Sequence, residues 1–100
     1  MAPEALKDHR YTKESDVYSL GITLWEVGSR GDLPYGRAMA HEIVIRRVTT
    51  EGLRPGRPLR FPTGLFSVAK LCWAQEPSRR ITAARAAELI DARLANRSRR

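Results

Sequence analysis

Hydrophobic positions along the chain recur at helical spacing in four stretches, and no convincing strand pattern interrupts them. The strongest stretch, Ser15 to Val27, reads SDVYSLGITLWEV. At 100° per residue, Val17, Tyr18, Leu20, Ile22, Leu24, Trp25 and Val27 cover an arc of roughly 220°. Only Ser19, Thr23 and Glu26 are left on the polar side. A helix apolar over so much of its circumference is predicted to be central, covered by neighbours on several sides. Ser15 or Asp16 is expected to cap its start, because a short side-chain oxygen can accept from the free amides of the first turn. Gly28 and the following SRGDLPYG are expected to end it.

The second helix is predicted from about Ala38 to Thr50, with Ile43, Val44 and Val48 as its apolar face. EGLRPGRPLRFP follows, and three prolines and two glycines in twelve residues make it a long irregular loop. The third helix covers about Thr63 to Ala74, where Leu65, Val68, Ala69 and Cys72 repeat at helical spacing. Pro77 in QEPSRR breaks that pattern. Thr82 is then placed to cap a last helix, with Ala83, Ala86, Ala87, Ile90 and Leu94 inward and Arg85, Asp91 and Arg93 outward. The expected fold is all-α, four main helices with loops that are long for so small a chain.

Composition narrows the setting. A chain of 100 residues holds one small domain with a thin core. Its single cysteine, Cys72, excludes an internal disulfide and suits a reducing compartment. No charged start followed by an apolar run marks a signal peptide. The longest apolar stretch, Val17 to Val27, is too short and too interrupted to cross a bilayer. Asn96-Arg97-Ser98 matches a glycosylation acceptor, but nothing in the sequence points to a secretory route. The net charge of +7 comes from 15 arginines and 3 lysines against 11 acids. Those arginines are scattered, and only ANRSRR at the end is a cluster, so a solvated surface with a basic tail is the expected reading.

The landmarks, read in order, are APE at Ala2 to Glu4, YTKESDVYSLGITLWEV at Tyr11 to Val27, PYG at Pro34 to Gly36, CW at Cys72 and Trp73, and PSRR at Pro77 to Arg80. Each alone is weak; together, in order and at this spacing, the series resembles the second half of a protein kinase catalytic domain. It looks closest to the tyrosine and tyrosine-kinase-like kinases. In many such kinases a methionine precedes the Ala-Pro-Glu that closes the activation segment, and Met1 falls on it. The resemblance therefore implies a piece of a longer kinase, a shortened reading or a truncated relic. Residues 1–95 would be a partial kinase domain, from the Ala-Pro-Glu motif to the last helix, and 96–100 a basic tail.

The resemblance also lends roles to positions. Glu4 matches the acid that in the family pairs with the arginine of a Pro-x-x-Arg stretch, here Arg80; a planar guanidinium holding a carboxylate can tie distant parts of a chain together. Asp16 matches the central-helix acid that would hold the catalytic loop, and without that loop it would serve only as a cap. Trp25 and Trp73 match core tryptophans, and an aromatic of that size buries about 150–250 Å², or roughly 4–6 kcal/mol. Tyr18 stands where the family often has Trp, Leu20 where it often has Phe, and Ile81 where proline usually follows the arginine. The last of these is expected to loosen the start of the final helix.

Phosphoryl transfer needs a Gly-rich loop, a strand lysine, a catalytic-loop base and a metal-binding aspartate. Gly-x-Gly-x-x-Gly, His-Arg-Asp and Asp-Phe-Gly do not occur among these 100 residues. Hence the expectation is no catalytic, cofactor-binding or metal-binding residue here; ATP and Mg belong to the intact family domain. His9 and His41 read as surface residues, and Cys72 as a buried, inert thiol. Tyr11, Tyr18 and Tyr35 are the tyrosines, with Tyr18 expected to be too buried for modification. The leading reading is a kinase-domain portion inactive by itself, inside the cell, with protein partners and no membrane. The alternative is a helical protein-binding module derived from a kinase lobe. A minor alternative, a basic nucleic-acid binder, predicts binding that weakens steeply with salt.

Overall fold

A computed structural model describes residues 1–58 and 60–98, with side chains as far as Ala92. Five α-helices follow one another: α1 (Pro3–Asp8), α2 (Lys13–Gly28), α3 (His41–Thr50), α4 (Thr63–Cys72) and α5 (Ala83–Ser98). A 3-10 turn at Pro77–Arg79 precedes α5, and there is no strand among the described residues. The fold is all-α, as the periodicity predicts, with one helix more. The addition, α1, has only six residues, fewer than two turns, so no periodic stripe can announce it. Its start is set by Pro3 in the first turn and its end by His9 in the left-handed conformation.

The central helix begins earlier than its apolar stripe. Thr12, and neither Ser15 nor Asp16, is the cap: Ser15 N–H donates to Thr12 Oγ1 and Thr12 N–H donates to Ser15 Oγ at 2.7 Å. This reciprocal box uses serine where glutamate or glutamine is usual. Asp16 sits one turn in, exposed, with its backbone N–H on Thr12 O.

Helix α4 crosses α2 where Gly21 removes a side chain. A Cβ built there would lie 2.7 Å from Cys72 Cβ and 3.0 Å from Ala69 O. Gly28 does the same for a ring, since a Cβ on it would lie 2.3 Å from Phe61 Cζ. On one side of this crossing Tyr18, Trp25, Phe61, Ala69 and Trp73 pack with Ala2 and Ala5 of the first turn. On the other, Val17, Val68, Cys72 and Ala86 bring in α5. Trp25, Phe61, Phe66 and Trp73 form a run of aromatic pairs with centroids 5.6–6.3 Å apart.

The cover over α2 is less complete than its stripe predicts. Leu20, Ile22 and Leu24 are half-buried and Val27 is 67% exposed. The molecule measures 44 × 30 × 17 Å. Elsewhere the inward face is narrower than predicted. Ile43 is exposed while Val48 is the buried residue of α3, and Ala83 and Ala87 are exposed while Ala86, Leu89 and Ile90 face the core. Alanines at those two positions carry no side chain long enough to demand burial. The predicted placements of Leu94 and Arg93, and the side chains of the basic tail with Arg99 and Arg100, lie outside the described residues, as does Leu59. Ile81 tightens rather than loosens the approach to α5: its N–H donates to Leu71 O, which a proline cannot do.

Candidate functional site

The two ends of the quoted motif series meet at one guanidinium. Arg80 reaches across from the residue after the 3-10 turn and holds Glu4 with two parallel bonds, Nη1 to Oε2 at 2.6 Å and Nη2 to Oε1 at 2.7 Å. Nη1 also donates to Glu14 O, Nη2 to Gln75 O and Nε to Ala74 O. Five N–H donors are all a guanidinium has, and all five have an acceptor. The Arg80 side chain is fully buried and that of Glu4 is 11% exposed. A charge in such a place is tolerable because every guanidinium proton is matched and both carboxylate oxygens have a charged partner. The bonds from Arg80 hold the Glu4 carboxyl below the usual glutamate value, against the opposing pull of burial.

Tyr18 lies under this pair. The guanidinium of Arg80 is 5.1 Å from its ring centroid and that of Arg54 is 4.9 Å. Both distances are within cation–π range. The Tyr18 hydroxyl is buried without a hydrogen-bond partner among the described residues, beside Tyr35. Burial pushes both phenols above their ordinary value, Tyr18 by a wide margin.

Arg54 is the residue that the sequence pattern misses. Its Nε donates to Trp73 O at 2.8 Å, Nη1 to Leu53 O and Nη2 to Gln75 Oε1 at 2.7 Å. Gln75 passes the link on, its Nε2 donating to Thr49 O at the end of α3. Trp25 Nε1 donates to Gly56 O at 2.8 Å, and Arg57 Nη2 to Phe61 O and Thr63 Oγ1. The loop that reads as irregular is therefore fastened by its own arginines. Periodicity is silent in loops; the available signal was a Gly- and Pro-rich segment with arginines at Arg54 and Arg57, which can reach carbonyls that no helix satisfies.

Trp25 and Trp73 are each 4% exposed and lie in the same cluster as Tyr18. Asp16 lies outside it, at the surface. His9, just past the end of α1, and His41, which opens α3, are both exposed. Cys72 is buried, and desolvation pushes its thiol up to about 11, so little thiolate is present at neutral pH. Among the described residues, no three His, Cys, Asp or Glu side chains converge where a metal could be held. No described helix is long and apolar enough to cross a membrane.

Comparison with known proteins agrees with the motif order. The family described as protein tyrosine and serine/threonine kinase matches residues 1–90. A probable serine/threonine-protein kinase of Dictyostelium discoideum is 41% identical over 80 residues, 80% of this chain and 8% of that protein. The macrophage colony-stimulating factor 1 receptor of Felis catus is 40% identical over 82 residues, 82% of this chain and 8% of the receptor. Human ephrin type-A receptor 1 is 42% identical over 79 residues, 79% of this chain and again 8% of the receptor. The chain thus spans less than a tenth of these relatives, and over nine-tenths of its own length it belongs to the protein tyrosine and serine/threonine kinase family.

Proposed function

We propose that this chain is the helical scaffold beneath the active site of a kinase domain and that its 100 residues alone do not transfer phosphate. The parent activity would be transfer from ATP to a tyrosine or a serine/threonine hydroxyl of a protein, within the cell. The observation that carries the reading is the sealed Glu4–Arg80 pair, which spans 76 positions and ties the Ala-Pro-Glu segment to the turn before α5. A fold that encloses two charges so completely is using them to fix the relative position of two segments. The family works with ATP and Mg. The residues present do not fit that pair: no phosphate-cradling glycine loop occurs in the sequence, and no acidic grouping converges among the described residues.

Two measurements test this. Incubating the purified chain with radiolabelled ATP, Mg and a mixed Glu-Tyr polymer or a basic protein substrate should give no incorporation above blank, and ATP-Mg should not shift the melt. Labelled product, lost on heating the chain, would overturn the proposal of inactivity. Reading the gene upstream of Met1 tests the scaffold role, because an open frame carrying the catalytic loop and the metal-binding aspartate is expected.

A second reading, a protein-binding module built on a kinase lobe, is favoured by the incomplete cover on α2, where Val27, Leu20 and Leu24 offer apolar surface. A partner protein that co-purifies in fixed stoichiometry would support it, and a clean monomer would count against it.

A further inference from the structure

The loops beyond the C-terminal end of α2 enclose a cleft that the scaffold reading leaves unused. Residues between Ser29 and Arg37 form one wall and Pro58 with Arg60 the other. A hollow of about 480 Å³ has Trp25, Leu33 and Pro58 in its lining with Arg37 beside them. It continues past Asp32 and Pro58 into a second hollow of about 200 Å³ lined by Arg30 and Arg60. The indole N–H of Trp25 is already committed to Gly56 O, and its ring is almost wholly buried beneath the cleft. Leu33 is 52% exposed.

The arginines here differ from those of the core. Among the described residues, Arg30, Arg37 and Arg60 make no salt bridge and no side-chain hydrogen bond, whereas Arg54 makes three hydrogen bonds, Arg57 two and Arg80 five. These three arginines are themselves part of a lining that contains one acid, Asp32. Arg30 and Arg60 also hold φ of 63° and 70°, and they are two of the three non-glycine residues in the left-handed region among those described. Side chains held in sparsely populated backbone conformations concentrate at ligand clamps and switches.

We propose that this cleft binds an acidic peptide segment, with an apolar side chain over the exposed Leu33 and carboxylates spaced on either side of Asp32 to meet Arg37 on one flank and Arg30 with Arg60 on the other. A peptide suits the site better than nucleic acid. The one aromatic side chain in the lining, Trp25, is 4% exposed and cannot serve as a stacking platform for bases, whereas Leu33, 52% exposed, offers apolar surface to a peptide side chain. The inference rests on this chain's own loops and stands whether or not the scaffold reading holds.

The test is fluorescence anisotropy of the full chain at 50 mM salt with a labelled peptide, three glutamates on each side of a central leucine. Its glutamine counterpart and a labelled twelve-nucleotide oligothymidine serve as comparison probes. The glutamate peptide is expected to bind at least about tenfold tighter than the glutamine peptide. Arg30→Gln, Arg37→Gln and Arg60→Gln together should weaken it about tenfold or more. Lys7→Gln, Lys13→Gln and Arg79→Gln together should change it less than about twofold. Lys13 starts α2, 15 residues from its far end at Gly28, roughly 22 Å away at 1.5 Å per residue. Asp32→Asn should tighten binding several-fold, a gain that unfolding cannot produce. Equal losses from the two triple variants would overturn the proposal, as would no binding of the glutamate peptide. Tighter binding of the oligonucleotide, lost with the cleft triple, would assign the cleft to nucleic acid instead.

Discussion

Two groups of arginines in this molecule meet opposite conditions. Arg80 and Arg54 sit against the Tyr18 ring and spend their donors on Glu4 and on backbone carbonyls. Arg30, Arg37 and Arg60 stand around an open cleft with no side-chain partner among the described residues. The same side chain is thus a structural bolt in one place and a free positive charge in another. Net charge alone, +7, cannot distinguish them. Removing a cleft arginine should leave the melt nearly unchanged, as surface substitutions usually do. Removing a core arginine should not.

The largest expected effect is Arg80→Ala. It leaves the Glu4 carboxylate in a site built for an ion pair and strips three carbonyls of their donor. Breaking a buried pair from one side costs about 3–5 kcal/mol. Whole domains are stable by only about 5–15 kcal/mol, so the variant should lose most or all of its cooperative urea transition. Arg80→Lys restores the charge but not the fork, and should recover only part of the loss. A variant that unfolds at the same urea concentration as the parent would mean that the pair fastens nothing.

Next comes the pH dependence of the same pair. The bonds from Arg80 depress the Glu4 pKa in the folded state below its ordinary value of 4.5. A depressed folded pKa contributes stability that is fully present above the unfolded value and is lost as pH falls through the folded one. Stability should therefore hold from pH 7 to about 5 and decline below 4.5. Glu4→Gln should be less stable at pH 6 by about 1.5–3 kcal/mol, the range for a charge-assisted hydrogen bond. The gap to the parent should narrow on acidification. Melts of both proteins from pH 6 to 3 read this directly, and a constant gap would assign the acid sensitivity to other carboxylates.

Gly21→Ala should act through packing. The added Cβ would meet Cys72 Cβ at 2.7 Å and the backbone oxygen of Ala69 at 3.0 Å. The backbone contact cannot rotate away, so α4 must shift along α2. Overpacking of this kind costs about 1–3 kcal/mol. That should outweigh the gain in helix propensity of roughly 1 kcal/mol. A net increase in thermal stability would show that the two helices yield easily at the crossing.

How far these features could be read beforehand depends on which physical signal each one leaves. Helices α2 to α5 are legible because a buried stripe repeats every 3.6 residues, and Trp25 and Trp73 because so large an apolar surface has no other place to go. The start of α2 is hidden because its cap, Thr12, precedes the stripe by five positions. Helix α1 is too short to be periodic. Glu4 and Arg80 became a pair only through the order of motifs, since no local rule joins residues 76 apart. Arg54 left no signal that periodicity could catch, because its partners are carbonyls of Trp73 and Leu53 and the amide of Gln75. Nor did the stripe on α2 reveal how much of it goes uncovered; amphipathicity says which face seeks cover, not whether the chain supplies it.

The smallest expected effect concerns Tyr18, where two opposing contributions meet. Its ring lies under both core guanidiniums, which favours an electron-rich aromatic, and Phe keeps most of that interaction. Its hydroxyl is buried without a partner among the described residues, which carries a desolvation cost of about 1–3 kcal/mol. Tyr18→Phe removes that cost and leaves a gap no larger than one oxygen. The variant should therefore be as stable as the parent or more stable, by up to about 1 kcal/mol. Urea denaturation at pH 7 decides the sign. A loss of more than about 1 kcal/mol would mean that the hydroxyl is satisfied in solution, with the neighbouring Tyr35 as the nearest candidate. In that case Tyr35→Phe should produce a similar loss, and the double variant should lose little more than either alone, because residues sharing one bond do not add.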